Sequence, residues 1–127
     1  MTYFSAVTPA ALQEYADCTV LVGHFQLDSV RDLPDLAALK NVRRIEGYIN
    51  VFRSPGFLTL HGLENLEEVE GNVAIHLNPN LTSIAALAKL RTITGMLLIR
   101  GNDVLPQAEV EAFGARVNVL GEKMLGP

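Results

Sequence analysis

The sequence contains a single cysteine, Cys18, and no tryptophan among its 127 residues. One thiol cannot close a disulfide within the chain, and it excludes a structural zinc site built from several cysteines. No continuous apolar run approaches the length of a secretory signal or a membrane-spanning helix, and the N-terminus lacks a basic segment. We therefore expect a cytoplasmic protein without membrane insertion, or a secreted one if a leader has been removed from this sequence.

Charged residues are also scarce, since they make up 19% of the chain. The 10 basic and 14 acidic side chains give a net charge of −4, which argues against nucleic acid as a partner. Hydrophobic residues make up 49%, a content that excludes intrinsic disorder. At this length the sequence predicts one domain that covers residues 1–127.

The most informative feature is an internal repeat. Gly23, Gly47, Gly71 and Gly95 stand 24 residues apart, and apolar residues recur at fixed distances behind each of them. Counted from the glycine, these apolar columns lie at +2, +4, +10, +13, +16, +19 and +22. In the second repeat they are Ile49, Val51, Phe57, Leu60, Leu63, Leu66 and Val69. A repeat of this length predicts a solenoid whose coils bury their apolar sides against one another.

The spacing inside one repeat predicts its local structure. Positions +2 and +4 alternate with other residues, which is typical of a short strand with one buried face. From +10 to +22 the apolar residues recur at every third position, which favours turns, extended segments and 3₁₀ stretches over an α-helix. Four coils stacked about 4.8 Å apart would place their strands in one parallel sheet over a continuous core.

The two ends of the solenoid need covers, because terminal coils would otherwise expose apolar surface. Residues 18–105 hold the four repeats. Thr8 and Pro9 predict the start of an N-terminal capping helix over residues 8–17. Pro106 opens a segment with helical apolar spacing, which predicts a C-terminal capping helix over residues 106–117. Residues 118–127 are predicted as a weakly determined tail in which Val119 and Leu120 could add a short edge strand.

The apolar columns resemble the leucine-rich repeats of the receptor L domain. The resemblance extends over residues 18–105, and segment 63–75 matches closely. Receptor L domains form the ligand-binding solenoids of the insulin-receptor and epidermal-growth-factor-receptor ectodomains. The resemblance implies an α/β solenoid, a right-handed coil with a parallel β-sheet and helical caps, that acts as a recognition module without catalytic residues. The family's members are mostly secreted and disulfide-capped, whereas this sequence shows neither a signal segment nor a cysteine pair, so we do not expect an extracellular receptor role.

The residues that could carry chemistry are few and dispersed. His24 and His76 fall on strands two coils apart, so about 10 Å separates their backbones. His61 falls on the return path, and no second metal-ligand motif accompanies the three. Nucleophile-elbow, dinucleotide-binding and P-loop patterns are absent from the sequence. We therefore expect no catalytic site, no metal and no cofactor, and predict that the protein is not an enzyme.

Charged residues on the return path fall in register between coils. The period of 24 places Arg43 beside Glu67 and then Arg91, and it also pairs Lys40 with Glu64 and Arg44 with Glu68. Exposed ion pairs contribute about 0–1 kcal/mol each. They are therefore predicted to favour the correct register more than to add stability.

The solvent-facing side of the predicted sheet is unusually apolar. With +2 and +4 buried, positions +1, +3 and +5 point to solvent, and several of them carry aromatic or aliphatic residues. Such residues are enriched at the cores of protein interfaces. The predicted partner-binding residues are Tyr48, Asn50, Phe52, Ala74, His76, Met96, Leu98 and Arg100.

The predicted function is therefore a non-catalytic protein–protein interaction module that binds a partner protein through the exposed face of its sheet. A first alternative is a scaffold protein that self-associates through the same face. A second, weaker alternative is a carbohydrate-binding or other small-ligand-binding solenoid, since only Tyr48 and Phe52 offer aromatic rings. The tail or a cap could also fold over part of the face.

Overall fold

The structure is a computed structural model that describes residues 4–5, 14–31 and 35–126. These residues form eleven short strands, two 3₁₀ helices and one α-helix. The strands are β1 (Phe4–Ser5), β2 (Val20–Val22), β3 (Phe25–Asp28), β4 (Arg44–Glu46), β5 (Ile49–Phe52), β6 (Glu68–Val69), β7 (Val73–His76), β8 (Thr92–Ile93), β9 (Leu97–Arg100), β10 (Asn118–Val119) and β11 (Lys123–Leu125). The 3₁₀ helices are Ala37–Leu39 and Ala85–Lys89, and the α-helix α1 is Gln107–Arg116.

The strands form two parallel sheets that run along the whole described chain. The six-stranded sheet has the order β1-β3-β5-β7-β9-β11, and the five-stranded sheet has the order β10-β8-β6-β4-β2. From β3 to β9, residues 24 positions apart are paired, as in the row Phe25, Ile49, Val73 and Leu97. This two-sheet parallel arrangement is that of a solenoid-like fold, with each repeat of the sequence forming one coil.

The second sheet differs from the single parallel sheet that the sequence predicts. Strands β4, β6 and β8 lie at the end of the predicted return path and pair in register through Ile45, Val69 and Ile93. Each of these strands has only two or three residues, with one buried side chain. A single apolar residue per strand produces no visible alternation, so only stacking between coils makes these segments strands.

The core lies between the two sheets and the 3₁₀ turns, and it contains the apolar columns of the repeat. Every +2 and +4 residue from β3 to β9 is at most 4% exposed. The columns of the return path are buried too, including the aromatic Phe57. Leu33 lies outside the described residues.

The recurring glycines are required where one coil crosses the next. Gly47 and Gly71 have φ values of +150° and +159°. A Cβ at Gly47 would overlap the carbonyl oxygen of Gly23, and a Cβ at Gly71 would overlap that of Gly47. The 24-residue spacing of glycine therefore reflects backbone contact between stacked corners, where no side chain fits.

The chain ends differ in how they relate to the predicted caps. Helix α1 lies within segment 106–117 and buries Val110 and Phe113 against the last repeat. Of the predicted N-terminal helix over residues 8–17, Thr8 and Pro9 lie outside the described residues, and residues 14–17 form a turn.

Segment 118–127, which the sequence predicts as a weakly determined tail with a possible edge strand at Val119 and Leu120, contributes two strands. β10 extends the five-stranded sheet and β11 extends the six-stranded sheet. Lys123 pairs with Leu97, which is 26 positions earlier, and its ammonium group donates to the Gly114 carbonyl at 2.8 Å. This coil contains helix α1 and is two residues longer than the repeat. The 24-residue period therefore does not reveal its strands.

Candidate functional site

The candidate site is the solvent-facing side of the six-stranded sheet, called the outer face below. Its centre is the row Asn50, Ala74, Leu98 and Met124, which are register partners on β5, β7, β9 and β11. Tyr48, Met96, Phe52, His76 and Arg100 flank this row at the two ends of the strands. All eight residues predicted from the sequence thus lie on one surface, and Met124 adds a ninth.

At the amino-terminal end of the strands, Tyr48 is fixed by its neighbours in the preceding coil. Its ring stacks on that of His24, with ring centroids 4.2 Å apart and planes inclined by 11°. Its hydroxyl donates to the side-chain oxygen of Gln26 at 3.3 Å. Tyr48 is half-buried as a result, and its phenol ring is held in one orientation.

At the carboxyl-terminal end, Phe52 is surrounded by polar groups. The His76 ring lies 4.9 Å away at a tilt of 46°, and the Arg53 guanidinium lies 5.5 Å from the Phe52 ring centroid. Arg53 also donates from Nε to an Asp28 carboxylate oxygen at 3.0 Å. The hydrogen bond from Arg53 holds the pKa of Asp28 below its usual value, and the same bond raises the pKa of Arg53.

The centre of the outer face is apolar and uneven. Ala74 is 9% exposed, because its single methyl group lies lower than the longer side chains around it. Met96 and Leu98 are half-buried, and Met124 is 36% exposed. The outer face is therefore lower at Ala74 than at the side chains of Met96, Leu98 and Met124 around it.

The last coil lies beside this surface and does not cover it. Strand β11 pairs with the edge of β9, so Met124 continues the central row next to Leu98. The possibility that the tail folds over the face is therefore not realised among residues 118–126. Sequence reasoning missed Met124 for the same reason that it missed β11, the longer spacing of the final coil.

A buried polar column supports the carboxyl ends of these strands, and sequence reasoning missed it as well. Ser54, Asn78 and Asn102 are fully buried and lie 24 residues apart. The Asn78 side chain accepts from the Ser54 N–H at 3.2 Å and donates to the Val51 carbonyl at 2.9 Å. Asn102 repeats this pattern one coil later, on the Asn78 N–H and the Ile75 carbonyl. The equal spacing of Ser54, Asn78 and Asn102 was the available signal.

The charge ladder is formed in part. Glu67 lies 3.6 Å from Arg43 and 2.9 Å from Arg91, as the period predicts. Arg44, although in register with Glu68, instead pairs with Glu46 on its own strand. Glu64 contacts His61 Nδ1 at 2.6 Å and accepts from the Gly62 N–H. A partner closer in the chain therefore replaces the predicted one in two of the three cases: the acceptor Glu46 for Arg44, and His61 with the Gly62 N–H for Glu64.

The histidines and the cysteine are not gathered into a chemical site. His24 and His76 lie on different coils of the outer face, and His61 lies away from it beside Glu64. Across residues 14–31 and 35–126, no group of three or more His, Cys, Asp or Glu side chains could hold a metal ion. The Cys18 side chain is half-buried, is not part of a disulfide and packs against the core.

An open groove runs between the second 3₁₀ helix and α1. It is lined by residues that include Ser83, Phe113 and Arg116. Glu109 accepts from the Ser83 hydroxyl at 2.8 Å, and Arg116 donates to the carbonyls of Leu87 and Leu90. These polar groups attach α1 to the last repeat, so the groove has a structural explanation.

Within the described part of the chain, none of the helices has the length and apolar character needed to cross a bilayer.

The comparisons with known proteins give one result that bears on this surface. The family model of the receptor L domain matches residues 17–67, which contain the first two coils and the outer-face residues Tyr48, Asn50 and Phe52. Comparison with curated proteins and with solved structures found no match. The receptor L domain is a non-catalytic, ligand-binding interaction domain, which indicates a general binding role and argues against an enzyme. The match confirms the resemblance drawn from the repeat for residues 17–67, and this part of the chain is similar to the receptor L domain.

Proposed function

We propose that the chain is a non-catalytic module that binds a partner protein through the outer face. One observation carries the proposal: Phe52 and Leu98 lie half-exposed on interior strands of the sheet, and Met96 lies half-exposed directly before β9, at positions where strand alternation calls for polar side chains. A soluble domain gains nothing from apolar side chains in water, and contiguous patches of this kind mark interaction surfaces.

The rigidity of the outer face supports the same proposal. Tyr48 is held by a ring stack and a hydrogen bond, and Phe52 is enclosed by His76 and Arg53. Ordering a mobile side chain at an interface costs about 0.5–1.5 kcal/mol, so a surface that is already ordered loses less on binding. The aromatic residues would act as anchors, and Asn50, His76 and Arg100 would orient the partner through polar contacts.

A partner protein fits these observations better than a sugar does. Carbohydrate binding requires an aromatic ring whose face is open to the ligand. The ring face of Tyr48 is stacked on His24, and that of Phe52 is approached by His76 and Arg53. The scaffold role and the cytoplasmic location stay predictions from the sequence.

The test is a double substitution on the outer face, Phe52→Asp with Leu98→Asp. Both side chains point away from the core, so the variant should fold, with an unfolding transition close to that of the wild type. Binding should be lost, because two carboxylates would be desolvated at the centre of the interface. The measurement is capture by the immobilised protein of proteins from its source cells, and of a differently tagged copy of the chain itself.

A matched control carries the same change outside the outer face, at Leu58→Asp with Val104→Asp. Both of these side chains are 52% exposed in the described structure. The control should keep the captured partner. Retention of the partner by the Phe52→Asp, Leu98→Asp variant would remove the outer face as the binding surface.

A further inference from the structure

We propose that the occupant of the outer face is a second copy of the same chain, seated face to face about a two-fold axis parallel to the direction in which the coils stack. This proposal rests on the proposed function, since it names the partner for the same surface. The axis passes over the central row of the outer face. Strands of the two copies then run antiparallel, and each coil lies opposite the same coil of the other copy.

The apolar residues of the outer face match themselves in this arrangement. Ala74, Leu98 and Met124 lie in one register row, so each of them faces its own counterpart across the axis. Tyr48 and Phe52 lie at opposite ends of strand β5, so the Tyr48 ring of one copy faces the Phe52 ring of the other. Apolar groups are thereby opposed to apolar groups along the part of the central row from Ala74 to Met124 and at the Tyr48–Phe52 positions.

The charges of the outer face are also self-complementary. Acidic side chains precede the strands at Glu70 and Glu122, and the basic Arg100 ends β9, whereas Glu46 and Arg53 are already paired within the chain with Arg44 and Asp28. Antiparallel stacking places the acidic border of one copy, at Glu70 and Glu122, against the border of the other copy that carries Arg100. Opposed borders of opposite sign favour encounter and fix the register of the two copies.

Arg100 and Glu122 are the specific pair in this contact. Arg100 is exposed at the end of β9, next to the apolar outer face, and it makes no ion pair with the described residues. In the proposed arrangement it lies opposite Met96 of the second copy. Glu122 lies beside Met96 at the start of the neighbouring strand, about 4.8 Å away. The Arg100 guanidinium of one copy therefore reaches the Glu122 carboxylate of the other. The two-fold axis forms this pair twice.

The other face-to-face arrangement, with the axis along the strands, is less favourable. It reverses the order of the coils, so that with β7 at the centre Asn50 of one copy faces Leu98 of the other. It also brings the acidic border against itself, with Glu70 opposite Glu70. A polar amide against an aliphatic group and like charges in apposition both oppose association.

The extent of the outer face predicts a weak dimer. Five strands about 4.8 Å apart and four residues about 3.3 Å apart give a flat area of about 20 by 13 Å. Stable interfaces bury about 800 Å² per partner, so this area of about 260 Å² lies well below the standard size, and side chains at its borders must add to the contact for a dimer to form. We expect a dissociation constant of about 10–500 μM, weakened further by salt because the borders are charged.

The test is sedimentation equilibrium of the full chain between about 10 μM and 1 mM at low ionic strength. The wild type should form a dimer at the upper concentrations. Leu98→Asp should remain monomeric, whereas Leu58→Asp should dimerise like the wild type. Arg100→Glu should weaken the dimer about tenfold or more, because it places a carboxylate against Glu122. The double variant Arg100→Glu, Glu122→Arg should recover the dimer to within about threefold of the wild type.

The possible outcomes test separately whether the chain dimerises, whether the dimer uses the outer face, and whether the two copies are antiparallel. A wild type that stays monomeric at about 1 mM overturns the second copy as occupant, and the capture experiment with Phe52→Asp and Leu98→Asp still tests the proposed function separately. A dimer that Leu98→Asp leaves unchanged uses another surface and also overturns the proposal. A dimer that the charge exchange fails to rescue excludes the antiparallel two-fold arrangement.

Discussion

The two sheets of this protein have the same inner side and different outer sides. Both are parallel and built from one short strand per coil, and both bury a single row or pair of rows of aliphatic residues. The outward side chains of the five-stranded sheet are polar or charged. On β4, β6, β8 and β10 they are Arg44, Glu46, Glu68, Thr92 and Asn118. Phe52, Ala74, Leu98 and Met124 instead face outward from the six-stranded sheet.

This difference separates folding from function in one molecule. The five-stranded sheet demonstrates that the coils stack with a polar outer side, so the apolar outer face is not a requirement of the solenoid. Edge strand β2 is a partial exception, because Val22 on it is 41% exposed. Three features can be tested in turn: the glycine corner that both sheets share, the buried polar column that supports only the six-stranded sheet, and the exposed Asp28–Arg53 ion pair.

The largest effect is expected at the glycine corner that both sheets share. Gly47→Ala would drive a methyl group into the Gly23 carbonyl at a positive φ, and the backbone must move to relieve the overlap. We expect the free energy of unfolding to fall by about 3 kcal/mol or more, with both sheets disrupted together. Chemical denaturation followed by circular dichroism measures this change.

Gly126→Ala is the matched control for the glycine corner. An added Cβ there meets only the Ile99 carbonyl oxygen at 3.9 Å, an ordinary contact distance. Its stability should stay within about 0.5 kcal/mol of the wild type. Equal stability of the Gly47→Ala and Gly126→Ala variants would show that backbone contact between stacked corners does not exclude a side chain at position 47.

A smaller effect, confined to one sheet, is expected at the buried column. Asn78→Ala leaves the Val51 carbonyl without its side-chain donor and the Ser54 N–H without its acceptor, both in the interior. We expect the free energy of unfolding to fall by about 1–3 kcal/mol. Amide hydrogen exchange should detect faster opening of the six-stranded sheet than of the five-stranded sheet.

Asn80→Ala provides the comparison for this variant, since Asn80 is exposed and donates to the Pro55 carbonyl at 2.8 Å. Its cost should stay below about 1 kcal/mol. Uniform loss of protection across both sheets in Asn78→Ala would mean that the column stabilises the whole core and not one sheet.

The smallest effect is expected at the Asp28–Arg53 pair on the border of the outer face. Because the folded pKa of Asp28 lies below its unfolded value of 3.8, the pair stabilises the folded state above that pH. This stabilisation is lost as the pH falls through the folded pKa. Asp28→Asn should therefore be slightly less stable than the wild type at about pH 7 and equal to it at about pH 2, as measured by urea denaturation at each pH. A deficit that persists at low pH would assign the effect to packing.

Much of the fold could be predicted because the repeat is written directly in the sequence. The glycine spacing predicted the corners, and the alternation at +2 and +4 predicted β3, β5, β7 and β9. Strands β4, β6 and β8 could not be predicted, since each carries one apolar residue and becomes a strand only through its neighbours above and below. Strand β11 could not be predicted either, because its coil has a different length.

The candidate site could be predicted for a related reason. Once the alternation of a strand is known, its outward residues follow, and the eight chosen from the sequence do share one surface. The supporting contacts could not be read in the same way. The stacking of Tyr48 on His24 and the enclosure of Phe52 by Arg53 depend on side-chain orientations between coils, which the period does not specify.

The sequence by itself determined the repeat, the buried columns and the residues that face outward, because a periodic chain packs in register with itself. Only the tertiary structure decided the second sheet, strand β11 and the choice of ion-pair partners. These features depend on distances between coils. A short strand has no propensity strong enough to specify its own pairing, and a surface charge pairs with whichever opposite charge the folded backbone brings nearest.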